Sequence, residues 1–186
     1  MNSVKVILLM SLAVFLSGCT TLYLPVASEN ITVSESYGII KTAEFTLAVA
    51  NKLWVKEPQE LTDYFMTFYI TVRNKTAEKI PISPEDLSLL DEYGNQYDIV
   101  LPGQVMNLLM PEDIIFDRNF LFEEEDDQVY ENWKEAKNNL IMESFNFGTI
   151  LPNAQKTGYL FFPKLKSQNK QCKLIFQGHQ IDFVRE

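Results

Sequence analysis

Residues Tyr64–Asn74 read YFMTFYITVRN, and the period of that stretch decides the fold. Met66, Phe68, Ile70 and Val72 fall on one face, and Phe65, Thr67, Tyr69, Thr71 and Arg73 on the other. A period of two in β-branched and aromatic residues is that of a half-buried strand, with Met66, Phe68, Ile70 and Val72 expected to face the core. Upstream, Glu44–Asn51 (EFTLAVAN) alternates Phe45, Leu47 and Val49 against Glu44, Thr46 and Ala48. Downstream, Leu87–Asp91 and Gln96–Leu101 flank Glu92-Tyr93-Gly94-Asn95, a turn of the kind that closes hairpins. Lys156–Phe162 and Cys172–Phe176 read as two further strands, separated by Pro163 and a polar, lysine-rich loop. About six to eight short strands with turns between them predict a mainly β chain in which two sheets each bury one face, a β-sandwich.

One segment keeps a different period. In Gln128–Glu143 (QVYENWKEAKNNLIME), Val129, Trp133, Ala136 and Leu140 recur at i, i+4, i+7 and i+11, with Tyr130, Lys137 and Ile141 widening the stripe. That spacing predicts one amphipathic helix inserted between strands, about residues 123–143 with its approach. The acidic run Glu123–Asp127 just before it complements the positive helix N-terminus, and Asp126 or Asp127 can cap. The run lacks the alternating ligands and mid-loop glycine of a calcium loop, so no metal is expected there.

Composition sets further bounds. The 186 residues carry 16 basic and 25 acidic side chains, a formal charge of −9 without any Lys/Arg block to offset it, which argues against nucleic-acid binding. A single histidine and two cysteines leave little material for metal cages or nucleophilic triads. If residues 172–179 formed one strand, Cys172 and His179 would point to opposite faces. If Gly178 makes a turn, His179 lies on a loop and Cys172 on a strand. Neither arrangement allows the proton transfer a nucleophile–base pair needs, and Cys172, alternating with Leu174 and Phe176, reads as a buried structural thiol. No Gly-x-Ser-x-Gly, His-Glu-x-x-His or Cys-x-x-Cys occurs, so no catalytic residue, metal or cofactor is assigned.

The N-terminus points to a compartment. Lys5 precedes Val6–Leu16 (VILLMSLAVFL), an apolar run of 11 residues. A permanent span needs about 20, so the run fits a signal peptide. Leu16-Ser17-Gly18-Cys19 follows directly and resembles the bacterial lipobox. That resemblance implies cleavage before Cys19 and a lipid on its thiol, which several acyl chains would hold stably in a membrane. Thr20, rather than Asp, after the cysteine implies the outer membrane in a cell with two membranes, the protein facing the periplasm. With Cys19 lipidated, Cys172 has no disulfide partner. The chain then divides into a signal peptide (1–18), a lipidated tether (19–36) and a β-sandwich domain (37–186). Fully extended, the tether reaches at most ~55 Å.

Three stretches taken in order, MTFYITVRN (66–74), SPEDLSLLDEYGNQY (83–97) and GTILPNAQKTGYLFFP (148–163), resemble the immunoglobulin-like domains of unknown function found in bacterial secreted and lipid-anchored proteins. In that group a hydrophobic strand ends in Asn, a Pro-acid-Leu segment leads into an Asp…Gly…Tyr hairpin, and a Pro-Gly turn precedes Gly-aromatic-aromatic. Here the turn is Pro152-Asn153, and Asn tolerates the left-handed conformation such a turn requires. The span from Gly103 to Ser144 is longer than the family pattern. The resemblance implies a fold and an extracytoplasmic role, and brings no catalytic residue.

Two functional expectations follow. The first is a non-enzymatic envelope lipoprotein, anchored at Cys19, whose domain contacts an envelope protein or supports an assembly. Its candidate interface is the helix stripe Val129, Trp133 and Leu140, adjoining the apolar stretch Met106, Leu108, Leu109, Met110, Ile114, Ile115 and Phe116. The same stripe would equally serve by packing on its own sheet. The alternative is a small-molecule or glycan-binding lipoprotein using exposed aromatics near Trp54 or Trp133.

Overall fold

The computed structural model describes residues 22–111 and 126–186. The signal peptide, the lipobox (Leu16, Ser17, Gly18) with Cys19, and Ile114, Ile115, Phe116 and Glu123–Glu125 lie outside the described residues.

The chain is mainly β, with antiparallel sheets and a few helices. Twelve strands run as β1 (Tyr23–Pro25), β2 (Ile31–Ser34), β3 (Tyr37–Lys41), β4 (Phe45–Asn51), β5 (Phe65–Asn74), β6 (Ile80–Ile82), β7 (Leu87–Asp91), β8 (Gln96–Asp98), β9 (Gly148–Ile150), β10 (Gln155–Pro163), β11 (Gln171–Phe176) and β12 (His179–Arg185) among the described residues. Helices α1 (Leu61–Tyr64), α2 (Pro102–Leu109) and α3 (Asp126–Glu143) and a 3-10 turn at Pro84–Asp86 accompany them among the described residues. One five-stranded sheet is ordered β1-β12-β11-β7-β8 and the other β10-β5-β4-β3-β2, with β6 and β9 forming a small ribbon.

The period-two reading of β5 holds on both faces. Met66, Phe68, Ile70 and Val72 are buried with Leu47, Val49, Leu89, Leu174, Ile181 and Phe183, residues drawn from both sheets. Phe68 meets Phe162 and Phe183 edge-on at 6.0 and 5.1 Å, and Phe45 meets Phe176 at 5.3 Å. The two sheets therefore share one core. The opposite face of β5 and β10 is covered too: Phe65, Tyr159 and Phe161 are buried with Trp54, Leu61, Val105, Leu109, Trp133, Ala136 and Leu140. Helices α2 and α3 supply the cover.

Two expectations are corrected. Residues 22–36 are not tether, because β1 pairs with β12 (Tyr23 opposite Arg185) and β2 with β3. Tyr23 and Ile31 are buried, and the Tyr23 backbone N–H donates to Asn51 Oδ1 at 2.8 Å. An apolar Leu-Tyr-Leu run is stabilised by burial and completes a sheet edge, so the folded body begins about 15 residues earlier than the composition suggests. The insertion is also not a single helix: Pro102–Leu109 forms α2, with Pro at its first position, where the missing N–H is not needed. The α3 range agrees with the predicted helix.

Candidate functional site

Within the stretches 66–74, 83–97 and 148–163, four residues have a visible structural task. Asn74, fully buried at the end of β5, donates through Nδ2 to the carbonyls of Glu78, Ile150 and Leu151, while its Oδ1 accepts from the Thr76 N–H and hydroxyl. Its amide thus pins two turns to one strand end. Asp91 organises the β7–β8 hairpin by accepting the backbone N–H groups of Tyr93 and Asn95, the Asn95 side chain and the Tyr97 hydroxyl. Burial alone would raise its pKa, but these hydrogen bonds to the carboxylate outweigh it and hold the group below the usual carboxylate value. Asn153 adopts φ 59°, so the turn keeps its left-handed residue without glycine. At Gly158 a Cβ would lie 2.5 Å from the Phe145 nitrogen and 2.6 Å from the Ser144 carbonyl carbon. The glycine admits the chain leaving α3 directly onto β10, where the Phe145 N–H donates to the Tyr159 carbonyl at 2.9 Å.

Cys172 and His179 are far apart. The β11–β12 hairpin turns at Gln177-Gly178 with φ 46° and 79°, the two positive values of a tight hairpin turn. Cys172 pairs with Phe183 and His179 with Phe176, at opposite ends of that ladder, roughly 14 Å apart at about 3.4 Å per residue. Desolvation, followed by the Asp182 charge, pushes the Cys172 thiol up to about 12, so it is neither nucleophile nor ligand at neutral pH. The His179 ring stands edge-on to Phe45 at 5.4 Å. It borders an open groove of about 660 Å3 along β2 and β3, lined also by Glu29, Lys41, Gln180 and Asp182. Among the described residues no group of three His, Cys, Asp or Glu is placed to hold a metal ion.

The stripe expected as an interface is inside the chain. Trp133 is 7% exposed and Leu140 0%, both packed on the outer face of β5 and β10, while Val129 is half-buried. Trp133 and Leu140 are covered by the sheet's outer aromatics, and Val129 keeps partial exposure. Trp54 is buried as well and meets Tyr159 and Phe161 edge-on at 5.2 and 5.8 Å. Neither tryptophan is exposed for a glycan to stack on. Among the described residues, the helical layer exposes Leu108 on α2 and Tyr130, Ile141 and Met142 on α3, at 68%, 46%, 61% and 73%. The C-terminal end of α3 is tied to the loop before α1 by Asn139 Nδ2, which donates to the Glu57 carbonyl, and by the Lys56–Glu143 ion pair.

At the N-terminal end of the described residues, Tyr23 lies four residues after Cys19 in sequence and its hydroxyl donates to the Asn169 carbonyl at 2.9 Å. Asn169 belongs to the loop joining β10 to β11, which exposes Lys164, Lys166 and Lys170. No helix of the described residues is long and apolar enough to cross a membrane. Sequence reasoning noted the lysines of this loop but had no means to place them beside the N-terminus, since that adjacency comes from the β1–β12 pairing.

No family model and no curated protein matches the chain. Among solved structures, a functionally unknown protein from Listeria monocytogenes EGD-e is similar at a TM-score of 0.36 and 9% identity, over 84% of this chain and 71% of that one. A likeness at that score carries no argument about fold or function.

Proposed function

We propose that the chain is a non-enzymatic lipoprotein of the bacterial envelope, held by lipid on Cys19 at the outer membrane with an immunoglobulin-like sandwich facing the periplasm. The observation that carries this reading is the junction at residues 16–25. A lipobox-like Leu16-Ser17-Gly18-Cys19 is followed, within four residues, by a strand built into the sheet. The immunoglobulin-like assignment is supported by the two sheets sharing one core, and by the structural tasks of Asn74, Asp91 and Gly158, the residues that carry the resemblance.

Within this reading the domain works by protein contact. The helical layer supports that role, because it is material beyond the two sheets and its outer side holds Leu108, Ile141 and Met142 in water. Replacing Cys19 by Ser tests the anchor. The variant is expected to keep its signal uncleaved and to take up no lipid label, and a variant that is lipid-labelled and cleaved like the parent overturns the proposal.

A further inference from the structure

We infer that the β10–β11 loop, through Lys164, Lys166 and Lys170, docks on anionic phospholipid headgroups and fixes the orientation of the domain on the bilayer that holds Cys19. The inference rests on the lipid anchor proposed above and adds to it a surface and a lipid class.

Covalent reach comes first. Four residues separate Cys19 from Tyr23, which spans at most ~14 Å even when extended. Tyr23 is no free end: it pairs with Arg185, its N–H is held by Asn51, and its hydroxyl donates to Asn169. Whatever the anchor holds, it holds the β10–β11 loop beside it.

The loop is also built to keep its lysines outward. Leu165 and Asn169 are buried, and the Asn169 N–H donates to the Lys166 carbonyl at 2.9 Å. Arg185 donates from its guanidinium to the Ser167 carbonyl and from its backbone to the Lys170 carbonyl. Between those fixed points Lys164, Lys166 and Lys170 are exposed. The segment Pro163–Lys170 has three lysines and no acid, in a chain with 25 acidic and 16 basic side chains. Glu92 accepts the Lys170 N–H at 3.2 Å, Asp63 lies between the Thr62 and Tyr64 carbonyls that Lys164 binds, and the Glu186 N–H donates to the Leu22 carbonyl.

Charge then sets the orientation. Cleaved before Cys19 and so without Lys5, the body has 15 basic and 25 acidic side chains, a net charge of −10, and is repelled by an anionic bilayer; a screening length of about 8 Å makes that repulsion act at the distances the anchor permits. Turning the lysine loop toward the headgroups puts the segment Pro163–Lys170, which itself carries no acid, nearest the negative charge, where its basic side chains are attracted, with Glu92, Asp63 and Glu186 beside it. A neutral bilayer offers no such preference.

The test uses the lipid-bearing protein in vesicles and an amine-reactive, membrane-impermeant label read by mass spectrometry. Lys75 serves as internal reference: it lies at the opposite end of β5 and donates from Nζ to the Thr42 carbonyl much as Lys164 does to that of Thr62. In phosphatidylglycerol-containing vesicles, labelling of Lys166 and Lys170 is expected to slow about 5-fold relative to Lys75, with recovery at high salt. Lys166→Glu combined with Lys170→Glu changes only exposed positions and is expected to abolish protection of Lys164. Equal labelling of loop and reference lysines, or equal protection in phosphatidylcholine vesicles, overturns the inference while leaving the anchor intact. A protein that carries no lipid on Cys19 and does not float with either vesicle overturns both.

Discussion

Along β5, residues of one parity look into the space between the sheets, and residues of the other parity look out at α2 and α3. The inward set meets strands from both sheets, so its neighbours are spread from Leu47 to Phe183 and are themselves locked into hydrogen-bonded ladders. The outward set, Phe65 and Tyr69 with Tyr159 and Phe161 from β10, meets helices carried mainly by the stretch 102–143. That cover is held by side-chain packing and a few ties such as Asn139 to Glu57. The two cores, both rich in aromatic rings, thus differ in how many independent connections each has. The difference teaches where the molecule can come apart: local opening follows the region with fewer long-range ties.

The largest effect is expected from the inner core. Phe68 is fully buried between Phe162 and Phe183, so Phe68→Ala removes a ring that both sheets pack on and should cost about 3–5 kcal/mol. Urea titration followed by far-UV circular dichroism measures it, and all strands are expected to melt together. A loss under ~1 kcal/mol would mean that the inner face tolerates a cavity and is not the organising core.

The outer core comes next. Leu140 is equally buried, and Leu140→Ala should cost about 2–5 kcal/mol by the same transfer and cavity terms. Its signature differs. Hydrogen exchange should speed up in α3 and α2 while amides of β11 and β12 stay protected, since those strands belong to the other sheet. If β11 and β12 lose protection in step with α3, the two cores form one cooperative unit and the contrast between them disappears.

The same contrast explains what was legible in the sequence. Strands β4, β5, β7, β10 and β11 and helix α3 each carry their own period, and the Tyr93-Gly94 turn marks its hairpin. Strand β1 has three residues, one of them Pro25, too few to show alternation, and its place is decided by Asn51 and Arg185 far along the chain. Strand β12 hides its Ile181 and Phe183 behind Gln177-Gly178, a turn without the usual Asn or Asp. Helix α2 begins Pro-Gly, which reads as a turn until the following Val105 and Leu109 are seen to share a buried face. The stripe of α3 was plain, but a stripe does not say what it faces. Only the pairing of β5 with β10 assembles Phe65, Tyr159 and Phe161 into the surface that takes Trp133 and Leu140. The lysines of the β10–β11 loop were visible as residues, and their position beside strand β1 was not, because it depends on a 146-residue separation closed by Tyr23 and Asn169.

The smallest effect on stability is expected on the outer side of the helical layer, and there stability and function should separate. Ile141 and Met142 adjoin Leu140 in sequence but point to water, at 61% and 73% exposure. A polar replacement at such a position removes little burial, so Ile141→Glu with Met142→Glu should change stability by no more than about 0.5 kcal/mol. The variant should keep the exchange pattern of the parent, including protection of α3. If the layer meets an envelope protein, two carboxylates in the contact would each have to be desolvated without a partner, which is strongly unfavourable. Crosslinking in intact cells, compared between parent and variant at equal membrane abundance, reads that difference. Loss of a crosslinked species with the fold unchanged assigns contact to the outer side of α3. Retention of every species shows that the helices serve only as a lid on Phe65, Tyr159 and Phe161, and moves any partner to the open groove by His179 or to a sheet edge.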